Sequence, residues 1–201
     1  MDKVYTKYVL ENFGVKQADY VVVNAHDYKN NKMDIISTIE NKLGYDVFIK
    51  PSNSGSSVGI SKAHNREELE AGLEEALKFD RKVLVEVALN AREIEVAVLG
   101  NDEPVAATPG EIVPANEFYD YEAKYSNAES KLLLPANLSP EKLEKVKELA
   151  VRIFKMLDCA GMSRVDFLVD KETEEVYLNE INTIPGFTKI RDRRAHVWTP
   201  V

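Results

Sequence analysis

The chain has 201 residues, of which 44% are hydrophobic and 30% charged, with a formal net charge of -8. That length buries a sizeable core and suits one large domain or two small ones, and the composition is that of an ordinary soluble globular protein. The acidic balance, without a basic stripe, argues against a nucleic-acid partner; no apolar run approaches the ~18 residues of a membrane span and no signal peptide opens the chain, so a cytoplasmic protein without a membrane partner is expected.

In chain order, Asp2 is positioned to cap a helix that runs to Phe13 and stops at Gly14, and "YVVV" at 20–23 reads as a buried strand. Ile35, Ile36, Ile39 and Leu43 recur at helical spacing and close with Gly44, after which "DVFIKP" reads as a strand ended by Pro51. The next stretch, "IKPSNSGSSVGISK" from Ile49 to Lys62, puts one lysine ahead of a run of serines and glycines. It admits three readings: a flexible linker, a hairpin turn, or a phosphate-covering loop in which small residues let backbone N–H groups close around an anion. It is not a Walker loop, because the lysine comes first.

A short strand near Val58 to Ser61, an amphipathic helix over 65–78 and the strand "KVLVEVAL" complete an α+β first half. "REIEVAVLG" opens a second run of strands that continues through "PVAATPGEIV". The long polar stretch "NEFYDYEAKYSNAESK" follows, and loops of that length in a compact domain are commonly functional lids or disordered. Ser139 and Pro140 suit the N-cap and first position of a helix to about Leu157, whose Leu143, Val146, Leu149 and Ile153 share one face. Cys159, the only cysteine, reads as a packed thiol, and His26, His64 and His196 lack zinc-ligand spacing.

"MSRVDFLVD", the turn "KETEE" and "VYLNEIN" read as a hairpin. If the turn centres on Thr173, Asp166 faces Glu180 and Arg164 faces Asn182, all four on one side, with Val165, Phe167, Val169, Tyr177 and Ile181 on the other. Two opposed carboxylates repel unless something positive lies between them, and Arg164 supplies part of that charge. Asp, Glu and an Asn amide oxygen also suit Mg2+, while a solvated face of an edge hairpin is the alternative. "NTIPG" directly after the hairpin favours the ligand reading, since Gly186 lets backbone approach a ligand closely.

"MDKVYTKYVLENFGV", "IKPSNSGSSVGISK", "VLVEVALNAREIEVAVLG", "FYDYEAKY", "MSRVDFLVD" and "YLNEINTIPGFT" together resemble, in order and spacing, the ATP-grasp portion of the D-alanine:D-alanine ligase family, from Met1 to about Ile190. The resemblance implies an α+β ATP-grasp fold whose two α+β subdomains clamp ATP, at 1–88 and 89–190, with 191–201 an atypical, non-native-looking tail. It implies that Lys3 and Lys50 contact nucleotide phosphates, that Ser57 adds further phosphate contacts, and that the Ser/Gly loop is the phosphate lid. Glu86 would accept from the adenine amino group, the backbone from Val87 to Leu89 would complete the purine contacts, and Glu93 would hold the ribose hydroxyls. Val87 stands where relatives often have lysine, a position thought to contribute mainly backbone.

The same resemblance assigns Asp166, Glu180 and Asn182 to two Mg2+ ions, with Mn2+ as an alternative occupant. It assigns Arg164 and the Gly186 N–H to the tetrahedral oxyanion, Lys124 to the phosphate, and Ser56 and Tyr125 to a hydrogen bond locking two lids. The reaction implied is phosphorylation of one D-alanine carboxylate and attack on the acyl phosphate by a second D-alanine, for peptidoglycan precursor synthesis. The tyrosine of "EAKY" favours the D-alanine ligase over relatives that make ester-linked products. The family carries an additional N-terminal domain, which helps bind the first D-alanine and supplies a glutamate partner to Ser56, and this chain is expected to begin after it. Arg191 replaces a serine that binds the second D-alanine, and a homodimer is one assembly the resemblance allows for the full-length enzyme. Two other functions fit less of the sequence: a nucleotide-binding module without ligase chemistry, and a ligase for another small acid and amine, against which "EAKY" and "SGSSVG" weigh.

Overall fold

In the computed structural model, which describes residues 1–113 and 131–185, the chain divides into two units, one of Asp2–Tyr5 with Ala18–Leu89 and one of Met1 and Thr6–Gln17 with the residues from Asn90 onward. Thr6–Gln17, expected with the first unit, group with the second, because Leu10 and Val15 belong to its apolar core and Leu178 donates its backbone N–H to Lys16 O at 2.9 Å. Helix α1 (Lys3–Asn12) therefore starts in one unit and ends in the other. Its start is capped as expected, Tyr5 N donating to Asp2 Oδ1 at 3.0 Å.

The first unit is an antiparallel sheet in the order β1 (Tyr20–Asn24), β4 (Lys82–Val87), β2 (Val47–Pro51), β3 (Ser61–Ala63). Valines and isoleucines at alternate positions, Val47, Ile49, Val83 and Val85, bury one face against Ile36 and Ile39 of α3 (Lys32–Leu43) and Leu69 and Leu73 of α4 (Arg66–Ala76). One element had no period to betray it: α2 (Ala25–Asn30), a short helix that buries Tyr28. The strand expected near Val58 sits instead at Ser61–Ala63, because the chain before it turns through positive φ at Ser56 (51°), Ser57 (60°) and Gly59 (72°). Since β2 and β3 pair antiparallel, the Ser/Gly stretch is a hairpin connection rather than a flexible linker. Glycine is required at position 59, where a Cβ would lie 2.5 Å from Phe79 Cδ2 and 2.9 Å from Pro51 Cγ.

The second unit has a six-stranded sheet in which β10 (Val176–Asn182), β9 (Gly161–Asp170), β5 (Ala91–Gly100), β7 (Gly110–Val113) and β8 (Lys131–Leu133) are neighbours and β6 (Val105–Ala106) pairs with β5. Helix α5 (Pro140–Met156) lays Val146, Ala150, Ile153 and Phe154 on the face formed by Ile94, Val96, Val165 and Phe167. Ser139 caps it, its Oγ accepting from Lys142 N at 3.2 Å. Among the described residues no helix is long and apolar enough to cross a membrane.

Asp166 pairs with Glu180 and Arg164 with Asn182, as a turn centred on Thr173 requires. Nearer the turn the register is different: Phe167 faces Leu178, because a bulge at Asn179 inserts an extra residue between Leu178 and Glu180. The expectation that Tyr177 faces the core is corrected by that shift. Leu178 takes the buried position, and the Tyr177 hydroxyl donates to Glu175 Oε2 at 2.9 Å. Truncating fully buried Phe154 to alanine should cost about 3–5 kcal/mol in urea unfolding. Phe13→Ala, at a half-exposed position, should stay within about 0.5 kcal/mol of neutral, and equal losses would contradict the assignment of the core.

Candidate functional site

In the first unit the polar side chains gather at the entrance to the Ser/Gly loop. Lys3 donates its backbone N–H to Ser52 O at 3.0 Å and its Nζ to Ser54 O at 2.6 Å, which fixes its ammonium on the loop. Asp2 anchors the same corner, its carboxylate accepting from Lys82 Nζ and Ser52 Oγ, each at 2.6 Å. Burial by itself would raise the Asp2 carboxyl, but the hydrogen bonds from Lys82 and Ser52 outweigh it and hold it at about 2. The Lys82 ammonium also lies 4.2 Å from the centroid of the Tyr5 ring.

Lys50 and Glu86, expected at opposite ends of a nucleotide, form an ion pair with each other, both side chains being largely buried. Glu86 is held on central strand β4, between Tyr20 on β1 and Phe48 on β2. Beyond it, Val87 donates its N–H to Asp19 O at 3.0 Å and Ala88 to Asp46 O at 2.7 Å, so those two backbone donors are committed before Leu89 is reached.

In the second unit three acidic residues stand in one row across adjacent strands: Glu95 on β5 faces Asp166 on β9, which faces Glu180 on β10. Cross-strand partners share a face, and it is the face opposite Val96, Val165 and Ile181. The neighbouring row supplies Arg164, whose Nε and Nη2 donate to Asp166 Oδ1 and Oδ2 at 2.7 and 2.6 Å, with Glu95 Oε1 3.6 Å from the same Nε. Arg164, Asp166 and Glu95 are all buried, at 3%, 5% and 2% exposure, so their charges interact without much water between them. Burial pushes the Asp166 carboxyl up; Arg164 opposes this and the Glu95 and Glu180 carboxylates add to it, to a result of about 7. Asn182 faces Arg164 and accepts from Ile184 N at 3.2 Å through Oδ1. Glu93 precedes Glu95 on the same side of β5, facing Leu168 and Ile112.

The structure thus brings Arg164, Asp166, Glu180 and Asn182 together as the hairpin pattern anticipates, and it adds Glu95, which sequence reasoning missed. The available signal was the second acid of "REIEV", a charged residue at period 2 inside an otherwise buried strand. Gly186, Lys124, Tyr125, Arg191 and the 191–201 tail lie outside the described residues. Burial pushes the Cys159 thiol up, in keeping with a packed, unreactive residue.

Among the described residues no group of three or more His, Cys, Asp or Glu side chains is arranged to hold a metal by itself. The hairpin set is two carboxylates and an amide oxygen, which suits a hard cation that keeps waters and takes phosphate oxygens as its other ligands. The row also carries three formal negative charges against one positive, an excess, partly buried, that divalent cations would offset. The residues present therefore fit Mg2+.

A family model described as D-ala D-ala ligase C-terminus matches residues 9–194. The chain is 78% identical over 190 residues to a D-alanine–D-alanine ligase of Clostridium acetobutylicum, covering 94% of this chain and 55% of that protein. It is 69% identical to D-alanine–D-alanine ligase B of Clostridium tetani, covering 94% and 53%. Among solved structures, the VanG D-Ala:D-Ser ligase from Enterococcus faecalis superposes with a TM-score of 0.83 at 37% identity, over 94% of this chain and 53% of that one. The D-alanine–D-alanine ligase from Coxiella burnetii gives 0.78 at 33%, over 94% and 49%. The chain spans about half the length of the curated relatives it matches.

A carboxyl whose native pKa is raised binds its proton more tightly folded than unfolded. The contribution of Asp166 to stability is therefore greatest below the unfolded value of 3.8 and is lost as pH rises towards about 7. In metal-free protein the melting temperature of Asp166→Asn relative to the parent should rise between pH 5 and pH 8, and a difference that stays constant over that range would contradict the charge balance described.

Proposed function

The chain belongs to the D-alanine–D-alanine ligase C-terminal family and has its α+β ATP-grasp fold, and on that premise we propose that it binds Mg2+ATP and carries the nucleotide-dependent chemistry of an ATP-dependent carboxylate–amine ligase acting on D-alanine. The observation that carries this reading is the row Glu95–Asp166–Glu180, with Glu95 and Asp166 buried and Arg164 and Asn182 beside it, an oxygen-donor set with excess negative charge on the sheet face away from the core.

In this reading Lys3, held on the Ser/Gly loop, and Lys50 meet the nucleotide phosphates, and Ser57 adds a contact from the loop. Lys50 and Glu86 fix each other's side chains, so Glu86 meets the adenine amino group from a rigid strand. The carbonyl of Val87 and the N–H of Leu89 meet the rest of the purine, and Glu93 the ribose. Asp166, Glu180 and Asn182 hold two Mg2+ ions, with Mn2+ acceptable in their place. Bound there, the ions neutralise charge on the transferring phosphoryl group.

The γ-phosphoryl passes to the carboxylate of one D-alanine with departure of ADP. The amine of the second D-alanine attacks the acyl carbon, and phosphate leaves. Arg164 and the Gly186 N–H stabilise the oxyanion of that step, a contribution commonly about 3–4 kcal/mol per donor. By the family resemblance Lys124 is assigned to the phosphate, and Ser56 and Tyr125 to excluding water. The product serves peptidoglycan precursor synthesis in the cytoplasm.

Mg2+ATP at about a hundred times its dissociation constant should stabilise the fold by roughly 2.7 kcal/mol, read as a rise in melting temperature. Glu180→Gln should remove most of that rise, whereas Glu172→Gln, in the exposed turn, should retain it. Phosphate release from ATP that requires D-alanine, in the protein at its full gene length, tests the ligase step. No melting shift with Mg2+ATP, or equal effects of the two substitutions, would refute the metal assignment.

A further inference from the structure

Glu95 has no role in the ligand set proposed above, yet it is one of the most buried charged groups among the described residues. A carboxylate in the middle of a sheet face costs desolvation, and an apolar side chain of similar size there would ordinarily be neutral or stabilising. Its neighbours show what offsets that cost. Glu95 lies directly across β5–β9 from Asp166, and its Oε1 is 3.6 Å from Arg164 Nε, the atom that also donates to Asp166 Oδ1 at 2.7 Å. Two carboxylates therefore bracket one edge of the guanidinium, Asp166 by a two-point hydrogen bond and Glu95 by charge at slightly longer range.

The consequence is both positional and electrostatic. With Asp166 as its sole counter-ion, Arg164 would form a neutral pair, and Glu180 alone would supply the negative charge of the row. With Glu95 included, three carboxylates oppose one guanidinium, a formal excess of two negative charges that favours divalent cations at the row. We propose that Glu95 is a positioning residue: its buried carboxylate holds the Arg164 guanidinium against Asp166 and sets the negative charge of the row that draws divalent cations to the hairpin. This rests on the reading that the hairpin holds the metal of a nucleotide complex. It assigns Glu95 no contact with substrate.

Two measurements on the 201-residue chain test it. The first is the Arg164 Nε–H resonance in 15N NMR of the metal-free protein, assigned by its loss in Arg164→Lys. Glu95→Gln should shift that resonance and speed its hydrogen exchange, and Glu95→Asp, which keeps the charge but draws it back, should fall between the variant and the parent. The second is an electron paramagnetic resonance titration of Mn2+ with a non-hydrolysable ATP analogue. Removing one buried unit charge near the cation should raise the Mn2+ midpoint roughly tenfold in Glu95→Gln, and less in Glu95→Asp. A purely structural role would lower the melting temperature and leave both readouts unmoved once the protein is folded. If Glu95→Gln does not fold, an unchanged resonance and midpoint in Glu95→Asp overturn the proposal. A parent that forms no Mn2+–nucleotide complex defeats the metal reading and the charge-setting half of this inference, while the Arg164 resonance still decides the positional half.

Discussion

A single buried arginine set among three carboxylates on one sheet face is the constraint around which the second unit is organised. Arg164 and Asp166 sit two residues apart on β9, so their side chains leave the same face and the bidentate contact forms within one strand. The flanking strands then add Glu95 on one side and Glu180 on the other, each in register with Asp166. The opposite face of those strands carries Val96, Val165 and Ile181, which pack in the core beside α5. Hydrophobic burial on one side thus supplies the rigidity that holds like charges together on the other; burial first, with Glu95 and Glu180 adding to it against Arg164, pushes the Asp166 carboxyl up to about 7.

The first unit solves the complementary problem of placing positive charge in an acidic chain. Its lysines are tethered: Lys3 to the Ser54 carbonyl, Lys50 to Glu86, Lys82 to Asp2. A tethered ammonium loses less freedom when an anion arrives than a solvated one would, and it presents its charge in a fixed direction. The Asp2 corner serves the same end, because it ties the first residues of α1 to Ser52, where the Ser/Gly loop begins. The loop itself turns through three residues with positive φ, Ser56, Ser57 and Gly59, a conformation that suits small side chains.

The parts of this structure visible in the sequence are those governed by local rules. Period-2 alternation with a short polar turn gave the pairing of Asp166 with Glu180 and Arg164 with Asn182, and Ser139–Pro140 marked the start of α5. What stayed hidden depends on non-local contacts. The bulge at Asn179 exchanges Tyr177 for Leu178 in the core, and no turn residue announces it. The allocation of Thr6–Gln17 to the second unit follows from where Leu10 and Val15 find apolar partners, which a helix pattern does not specify. Glu95 was legible only as a misplaced charge in a strand; its partners come from β9, some seventy positions further along the chain, and only the sheet register brings them together. Lys50 and Glu86 were each singled out, but their mutual ion pair required knowing that β2 and β4 are neighbours.

We propose that the polar face of the β9–β10 hairpin is a cation site, with Arg164 and Glu95 as its fixed surroundings. Anomalous diffraction from crystals grown with Mn2+ and a non-hydrolysable ATP analogue tests it most directly, because it locates the ion without reference to activity. The account predicts Mn2+ peaks within bonding distance of Asp166, Glu180 and Asn182, with Glu95 close to Arg164 and outside the ligand shell. Peaks bound elsewhere, or a nucleotide bound with no ion at the hairpin, would contradict it.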